Sequence, residues 1–163
     1  MKNKGMLLES IINKSNDNYF RNQIAYVQKK NLDIKFKKVL KNSGNLTLEG
    51  ANIFSKSTVD YYGIYNGKFL AFEAKECNES PLLFQNLKKH QMRYLELIEY
   101  FGGFAFYIIL FKKESLFFLI KATDLHKFFQ NKKSLKIEDC VEIGQQIDLI
   151  FPGILNYIDY LIN

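Results

Sequence analysis

The 163-residue sequence contains few cysteines and no long hydrophobic run. Its two cysteines, Cys77 and Cys140, do not form a metal-ligand spacing, so we expect reduced thiols and not a disulfide. No apolar run is long enough to cross a bilayer, which excludes a transmembrane helix. The first residues lead directly into an amphipathic segment, so no signal peptide is expected. We therefore predict a cytoplasmic protein that does not associate with membranes.

The composition indicates a single globular domain over residues 1–163. Hydrophobic residues make up 47% and charged residues 25%, which excludes an intrinsically disordered chain, and we detect no internal repeat. The net charge of +6 is dominated by lysine and suits a polyanionic partner such as nucleic acid. A lysine-rich coding bias explains the same excess, so charge alone does not decide the partner.

The segment 57–76 contains the strongest local signal in the chain. Asn66-Gly67 lies between two β-like runs and predicts a two-residue hairpin with a type I′ turn. Regular pairing around this turn places Asp60 directly opposite Glu73, and Thr58 directly opposite Lys75. Residues two apart on a strand share a face, so all four side chains are expected on one face of the hairpin.

The opposed carboxylates of Asp60 and Glu73 need an explanation. At about 5 Å and an effective dielectric of about 20 they repel by roughly 3 kcal/mol, which a divalent cation or protonation of one carboxylate would remove. Two carboxylates can hold Mg²⁺, and the hydroxyl of Thr58 and the amide oxygen of Gln91 are compatible additional ligands. Lys75 could orient a water or stabilise charge on a phosphate. Together these groups predict hydrolysis of a phosphodiester.

Hydrophobic periodicity predicts a mixed sheet flanked by helices, an α/β architecture. In chain order we expect a helix over 5–22, strands over 24–28 and 34–40, the hairpin, a helix over 85–100 ended by Gly102-Gly103, strands over 104–111 and 116–121, a short helix to 129 capped by Thr123 or Asp124, and a mostly helical tail over 137–163. Gln91 falls on the buried stripe of the second long helix. The segment 41–56 shows no period, which is typical of a functional or mobile loop.

Asp60 followed by Glu73-Ala-Lys75 resembles the motif of the restriction-endonuclease-like, PD-(D/E)xK nucleases. Within that superfamily the chain resembles the RecU family of Holliday junction resolvases over roughly residues 5–130. The resemblance is carried by Gly5-Met6-X-Leu8-Glu9, Ile24-Ala-X-X-X-Lys29-Lys30, Ser57-Thr58-X-Asp60-Tyr61-X-Gly63-X-Tyr65-X-Gly67, Phe72-Glu-Ala-Lys-Glu76, Leu83-X-Gln85-Asn86, His90-Gln91 and Gly103-X-X-Phe106.

The resemblance implies a crossover junction endodeoxyribonuclease that acts in DNA recombination and repair. It implies Mg²⁺, with Mn²⁺ as a substitute, bound by Thr58, Asp60, Glu73 and Gln91, and it assigns transition-state stabilisation to Lys75. The catalytic set is then Lys75, Asp60 and Glu73. It further implies a homodimer that nicks two symmetric strands of a four-way junction, with a stalk, about residues 36–56, inserted into the open centre of the junction. A recombinase is a further candidate partner.

Several features of the sequence leave alternatives open. Asn31-Leu32-Asp33 replaces the usual Pro-Thr-Pro of the family, and the stalk segment has few lysines. Another nuclease of the same superfamily that cuts linear or flapped DNA, or a non-catalytic junction-binding accessory protein, remains an alternative function. Glu9 either faces the site or is an ordinary acid at a helix start. His90 is expected to make a packing or phosphate contact, and His126 a structural one.

Overall fold

Four helices are distributed among the strands of the described chain. The computed structural model describes residues 6–31, 33–55 and 58–162. Its helices are α1 (Met6–Arg21), α2 (Lys89–Tyr100), α3 (Ala122–Asn131) and α4 (Ile137–Ile143), with short 3-10 helices at Phe84–Asn86 and Ile158–Tyr160. The strands are β1 (Tyr26–Lys29), β2 (Asp33–Asn42), β3 (Asn45–Ser55), β4 (Tyr61–Tyr65), β5 (Lys68–Cys77), β6 (Leu82–Leu83), β7 (Phe104–Phe111), β8 (Leu116–Lys121), β9 (Ser134–Leu135), β10 (Gln145–Ile147), β11 (Leu149–Ile150) and β12 (Ile154–Leu155).

Six of these strands form one mixed sheet in the order β1-β4-β5-β7-β8-β10. β5 and β7 pair in parallel because α2 carries the chain back across the sheet between them, and all other neighbours pair antiparallel. The predicted strands over 104–111 and 116–121 are confirmed as β7 and β8. A mixed sheet flanked by helices confirms the predicted α/β fold class.

The two faces of the sheet carry two hydrophobic cores. Alternating residues of β5 divide between them, with Leu70 and Phe72 on one face and Ala71 and Cys77 on the other. The first core packs α1 and the C-terminal residues 154–161 against the sheet. The second packs α2, α3 and α4 against the opposite face. Because β7 is covered on both faces, its sequence is almost continuously apolar.

β2 and β3 form a separate two-stranded ribbon, which is inserted in the chain between the paired strands β1 and β4. Ser43 and Gly44 form its turn with φ values of 46° and 88°, the left-handed geometry of a two-residue hairpin. The expectation that residues 41–56 lack regular structure is therefore wrong. β3 shows no hydrophobic period because its described side chains are exposed on both faces of the ribbon, so no core selects an alternation.

Three further boundaries differ from the predictions. The helix expected over 85–100 begins at Lys89, after a 3-10 turn. Neither Thr123 nor Asp124 caps α3, whose N-cap is Lys121, since the N–H and hydroxyl of Thr123 both donate to Glu99 of α2. The tail over 137–163 is not mostly helical. After α4 it forms three short strands, and Ile147 of β10 is buried beside β8, so tertiary packing overrides helix propensity.

Some predictions fall on residues that lie outside the described ones. These are Gly5 and Ser57 of the family-like stretches and Lys56 at the predicted end of the stalk. Cys77 and Cys140 are both buried and no disulfide joins them, in agreement with the expectation of reduced thiols. No helix formed by the described residues is long and apolar enough to cross a membrane.

Candidate active site

The predicted hairpin forms between β4 and β5. Its turn residues Asn66 and Gly67 have φ values of 48° and 74°, as a type I′ turn requires. Tyr65 pairs with Lys68 and Tyr61 with Phe72, which is the predicted register. The ladder of β4 begins at Tyr61, so the segment carrying Asp60 lies one residue beyond regular pairing.

Beyond the last backbone pair of β4 and β5, hydrogen bonds to side chains connect the two segments. The backbone N–H of Asp60 donates to Oε2 of Glu73 over 3.1 Å, and the backbone N–H of Ala74 donates to Oδ2 of Asp60 over 3.0 Å. The carbonyl of Asp60 accepts a hydrogen bond of 2.7 Å from the N–H of Lys30, at the end of β1. The two carboxylates are therefore held side by side, that of Glu73 by the N–H of Asp60 and that of Asp60 by the N–H of Ala74.

Lys75 and Gln91 complete a cluster with these two acids. The Nζ of Lys75 lies 2.7 Å from Oε1 of Glu73 and 3.5 Å from Oε1 of Gln91. Gln91 is on the first turn of α2 and only 4% exposed, as its place on the predicted buried stripe requires. The structure thus brings together Asp60, Glu73, Lys75 and Gln91 from one hairpin and one helix.

Thr58 has different neighbours from the other predicted site residues. Its Oγ1 accepts a hydrogen bond of 2.8 Å from Nζ of Lys30. Burial raises the pKa of Tyr94 in α2, and the hydroxyl of Thr58 partly opposes this shift. Among the hydrogen bonds of the described residues, none joins Thr58 to Asp60, Glu73 or Gln91. Its role as a metal ligand stays a prediction.

Burial sets the electrostatics of the cluster. Glu73 is 2% exposed, and its pKa is raised chiefly by this desolvation and next by the charge of Asp60, while Lys75 opposes both effects. The repulsion expected from opposed carboxylates is therefore present in the folded chain. A cation that bound both carboxylates would favour the ionised form of Glu73.

The cluster opens into a groove of about 230 Å³ that is rich in carboxylates. The groove is lined by Leu8, Glu9, Asp60, Glu73, Ala74, Lys75 and Glu76. Three of its four acids pair with lysines, Glu9 with Lys29, Glu73 with Lys75 and Glu76 with Lys112. No ion pair of the described residues involves Asp60, so the groove keeps an uncompensated negative charge. Glu9 is both an acid of the first helical turn and a groove residue.

Sequence reasoning missed Glu76. Its side chain is 5% exposed, accepts a hydrogen bond of 3.0 Å from the N–H of Leu8 at the start of α1, and lies 3.1 Å from Nζ of Lys112. It therefore anchors the helix that carries Glu9 to the strand that carries Glu73. The available signal was its position directly after Lys75, but a helix-anchoring role depends on tertiary contacts that spacing does not contain.

The two histidines differ in environment, and the contacts of His126 agree with its predicted structural role, whereas the role of His90 stays a prediction. His126 is buried and bonds the Tyr107 hydroxyl over 2.8 Å and Glu96 over 3.0 Å, which is a structural arrangement. His90 is exposed beside Gln91.

The donor set of the site fits a hard divalent cation. Asp60 and Glu73 supply carboxylate oxygens, and Gln91 supplies a buried amide oxygen close to them. Among the described residues no group of three or more His, Cys, Asp or Glu side chains is placed to hold a metal. A site with only two carboxylates leaves several positions for neutral oxygens, water or phosphate, which is typical of Mg²⁺.

Comparison with known proteins identifies the family. The family model described as "RecU: Recombination protein U" matches residues 3–163. The chain belongs to the RecU family. This extends the resemblance seen in residues 5–130 across the C-terminal strands.

Similar RecU proteins cover nearly the whole chain. It is 40% identical over 160 residues to the Holliday junction resolvase RecU of Mycoplasmopsis pulmonis, which covers 98% of this chain and 94% of that protein. It is 36% identical over 162 residues to the RecU resolvase of Ureaplasma parvum, covering 96% and 90%. A solved structure of the Holliday junction resolvase Hjc of Archaeoglobus fulgidus covers 80% of the chain and 90% of Hjc with 14% identity and a TM-score of 0.49.

Proposed function

We propose that this RecU-family chain is a Mg²⁺-dependent endonuclease that resolves Holliday junctions by symmetric paired nicks in recombination and repair. One observation carries the proposal: hydrogen bonds hold Asp60, Glu73 and Lys75 together in one acidic groove. The Glu73 carboxylate accepts from the N–H of Asp60 and from the ammonium group of Lys75, and the Asp60 carboxylate accepts from the N–H of Ala74. The names of its relatives supply the substrate class, a four-way DNA junction.

A divalent cation would be held by Asp60, Glu73 and Gln91, with Thr58 as a further oxygen ligand directly or through water. The negative groove favours such a cation, because an uncompensated carboxylate would otherwise repel the phosphates of DNA. When bound, the cation would supply Lewis acidity to the scissile phosphate and to the attacking water. We propose Mg²⁺ from the hard oxygen donors, with Mn²⁺ as a substitute.

Each catalytic side chain has a role that follows from its contacts. Lys75 keeps its ammonium group 2.7 Å from Glu73 inside the groove, where it can stabilise negative charge on a phosphate oxygen. The N–H of Ala74 fixes the orientation of the Asp60 carboxylate, and the N–H of Asp60 fixes that of Glu73. Both carboxylates are therefore oriented before substrate binds, which reduces reorganisation during the reaction.

The remaining parts of the proposal concern organisation and location. We propose one nuclease domain over 1–163, with the β2–β3 ribbon as the stalk that enters the junction. The junction is two-fold symmetric, which suits a homodimer. A recombinase partner and a cytoplasmic location are part of the same proposal.

The function is tested with a labelled synthetic four-way junction. We expect wild-type protein to cut two opposite strands in the presence of Mg²⁺ and to lose cutting on chelation with EDTA. Linear and flapped duplexes of the same sequence are run in parallel. Preference for those substrates would favour a different nuclease activity, binding without cutting would favour the accessory role, and an uncut junction would refute the proposal.

Conservative variants test the site itself. We expect Asp60→Asn and Glu73→Gln to bind the junction and to lose cleavage, because each keeps its shape and loses the charge that binds the cation. Glu79→Gln is the matched control, since Glu79 has a side chain 68% exposed and pairs only with Lys113 among the described residues. Wild-type cleavage by either site variant would remove that residue from the catalytic set.

A further inference from the structure

Two lysines follow one another at the end of β1 and have different partners. The ammonium group of Lys29 pairs with Glu9 of α1, whereas that of Lys30 lies 2.8 Å from Oγ1 of Thr58. Successive side chains of an extended chain point to opposite faces of a sheet. Lys29 is therefore directed to the face covered by α1, and Lys30 to the opposite face, against which α2 packs.

Backbone pairing holds Lys30 next to the candidate active site. Lys29 pairs with Tyr61 in the β1–β4 ladder, and the N–H of Lys30 donates to the carbonyl of Asp60 over 2.7 Å, which extends this pairing by one residue. The N–H of Asp60 in turn donates to Oε2 of Glu73 over 3.1 Å. Lys30, Asp60 and Glu73 therefore follow one another across three adjacent segments of the sheet.

The charge of Lys30 has no acidic partner within the part of the chain that the structure describes. No ion pair of these residues involves Lys30, although Asp60 is its neighbour across the strands. The ammonium group is directed instead to the hydroxyl of Thr58, which carries no charge. Lys30 is also half-buried, and a partly desolvated ammonium group without a counter-charge is stabilised by an anion.

Thr58 holds the ammonium group of Lys30 in one position. The hydroxyl of Thr58 accepts from Lys30 and also partly opposes the burial that raises the pKa of Tyr94 in α2, so it lies next to both side chains. Ordering a lysine side chain costs rotamer entropy. The contact with Thr58 removes part of that cost before an anion binds, which is a form of preorganisation.

We infer that Lys30 binds a backbone phosphate of the cleaved DNA strand, beside the phosphate held at Asp60 and Glu73, with Thr58 positioning its ammonium group. The inference rests on the proposed function for the identity of the anion. β1 and β5 lie on either side of β4, about 10 Å apart at the usual strand spacing, and the ammonium group points to Thr58 and not to Asp60. Lys30 therefore contacts a phosphate that neighbours the scissile one.

The electrostatics of the groove favour a cation at this edge. Asp60 leaves the groove with an uncompensated negative charge, which repels the DNA backbone. Lys75 already pairs with Glu73, so the unpaired Lys30 supplies positive charge that the groove does not itself neutralise. A lysine that neutralises a phosphate releases counterions, and its loss lowers the salt dependence of binding. A lysine that only stabilises the fold has no such effect.

Binding of a labelled four-way junction in EDTA tests the inference without cleavage. Fluorescence anisotropy from about 50 to about 200 mM NaCl gives the slope of log affinity against log salt concentration. We expect Lys30→Met to reduce the magnitude of this slope by about 0.9, and the affinity near 0.1 M salt roughly tenfold, for each chain bound. A folded Lys30→Met variant with wild-type slope and affinity would overturn the inference.

Matched variants separate the charge of Lys30 from its shape. Lys30→Arg keeps the charge and should keep the slope, whereas Lys30→Gln keeps a donor for Thr58 and should lose as much slope as Lys30→Met. This pair tests the inference even if Lys30→Met does not fold, and thermal unfolding followed by circular dichroism checks each variant. A Lys30→Gln variant with the slope of Lys30→Arg would overturn the inference.

Two further variants define the contact. Thr58→Val should weaken binding with an unchanged slope, because the charge of Lys30 remains, and unchanged affinity would refute the positioning role of Thr58. Lys132→Met is the control, since Lys132 is 55% exposed and pairs with Asp139. It should leave slope and affinity unchanged. A loss equal to that of Lys30→Met would show a general effect of net charge and overturn the inference.

Cleavage measured beside binding separates this inference from the proposed function. A wild type that binds the junction with the expected loss in Lys30→Met, but cuts no strand in Mg²⁺, would refute the nuclease function and leave the phosphate contact standing. An active wild type whose folded Lys30→Met variant binds with unchanged slope and affinity would leave the function standing and overturn the contact.

Discussion

The six-stranded sheet and the β2–β3 ribbon are both antiparallel at their hairpins but differ in what stabilises them. Both hairpins turn on two residues with positive φ, Asn66-Gly67 in the sheet and Ser43-Gly44 in the ribbon. β5 is buried against cores on both faces, whereas the described side chains of the ribbon are exposed along its whole length. An isolated two-stranded hairpin is marginally stable in water, so the sheet must supply the stability of the fold.

The difference in packing suggests separate functions for the sheet and the ribbon. The sheet holds Asp60, Glu73 and Lys75 in fixed positions, as proposed for catalysis, because packing determines the strands that carry them. The ribbon, which we propose as the stalk, carries little of the packing of the fold, because its described side chains are exposed. The following predictions test that division, beginning with the largest expected effect.

Matched leucine truncations should separate the two regions most strongly. Leu70 of β5 is 0% exposed and Leu46 of the ribbon is 69% exposed. We expect Leu70→Ala to lower the free energy of unfolding by about 2–5 kcal/mol, because it leaves a cavity in the core. Leu46→Ala should change it by less than about 0.5 kcal/mol. Urea unfolding followed by circular dichroism measures both, and equal losses would show that the ribbon is part of the cooperative core.

Removing the charge of Lys75 should affect chemistry and not the ribbon. We expect Lys75→Met to reduce the single-turnover rate of junction cleavage by about 100- to 1,000-fold, which is the usual effect of deleting one group that stabilises the transition state. Junction affinity should be retained, since the ribbon and its lysines are unchanged. Lys113→Met is the control, because Lys113 is 67% exposed and pairs with Glu79. A Lys75→Met enzyme with wild-type rate would exclude a catalytic role.

Shortening the ribbon should have the opposite pattern. Deleting Lys41, Asn42, Asn45 and Leu46 removes the last two residue pairs of the ribbon. The existing two-residue turn then joins Leu40 to Thr47, which already pair with each other. We expect the preference for a four-way junction over linear duplex to fall about tenfold, or about 1.4 kcal/mol, by competition binding. The free energy of unfolding should stay unchanged. An unchanged preference for the four-way junction over linear duplex after shortening would show that the ribbon does not recognise the junction.

The smallest expected effect is a pH dependence of stability from the core. Burial lowers the pKa of His126, with Glu96 opposing the shift through its charge and hydrogen bond. As pH falls below about 6.5, His126 therefore becomes protonated in the unfolded chain before it does so in the folded chain. The free energy of unfolding then decreases by at most about 1.4 kcal/mol per pH unit, so the stability contributed by neutral His126 is present above that pH and lost below it. Between pH 8 and 5, His126→Gln should flatten this dependence, whereas the exposed His90→Gln should not. An unchanged slope in His126→Gln would contradict the prediction.

Much of the site could be predicted because it depends on local geometry. Asn66-Gly67 specifies the turn, the turn specifies the register, and the register places Asp60 beside Glu73. Gln91 could be assigned to a buried stripe from helical spacing alone. The same register predicted Thr58 on the strand face, but the regular ladder ends at Tyr61, and the hydroxyl of Thr58 accepts a hydrogen bond from Lys30 instead. Register arguments fail where pairing stops.

The strand over 34–40 was predicted and is found as β2, but the C-terminal tail and β3 of the ribbon could not be predicted, for opposite reasons. The tail has strand structure because β10 pairs with β8 and Ile147 is buried there, and such pairing partners are distant in sequence. The described side chains of β3 are all exposed, so the alternation on which strand prediction relies is absent from that strand. In both cases the deciding contacts lie between residues that local periodicity does not connect.

The sequence by itself determined the hairpin, its register, the pair of facing acids and the family resemblance, because each depends on residues close together in the chain or on a short motif. Only the tertiary structure decided which groups surround those acids. It placed Gln91 beside Lys75, anchored α1 through Glu76, and left Asp60 without an ion-pair partner among the described residues. These features arise from the packing of distant elements on one sheet, and packing is a property of the whole fold and not of any segment.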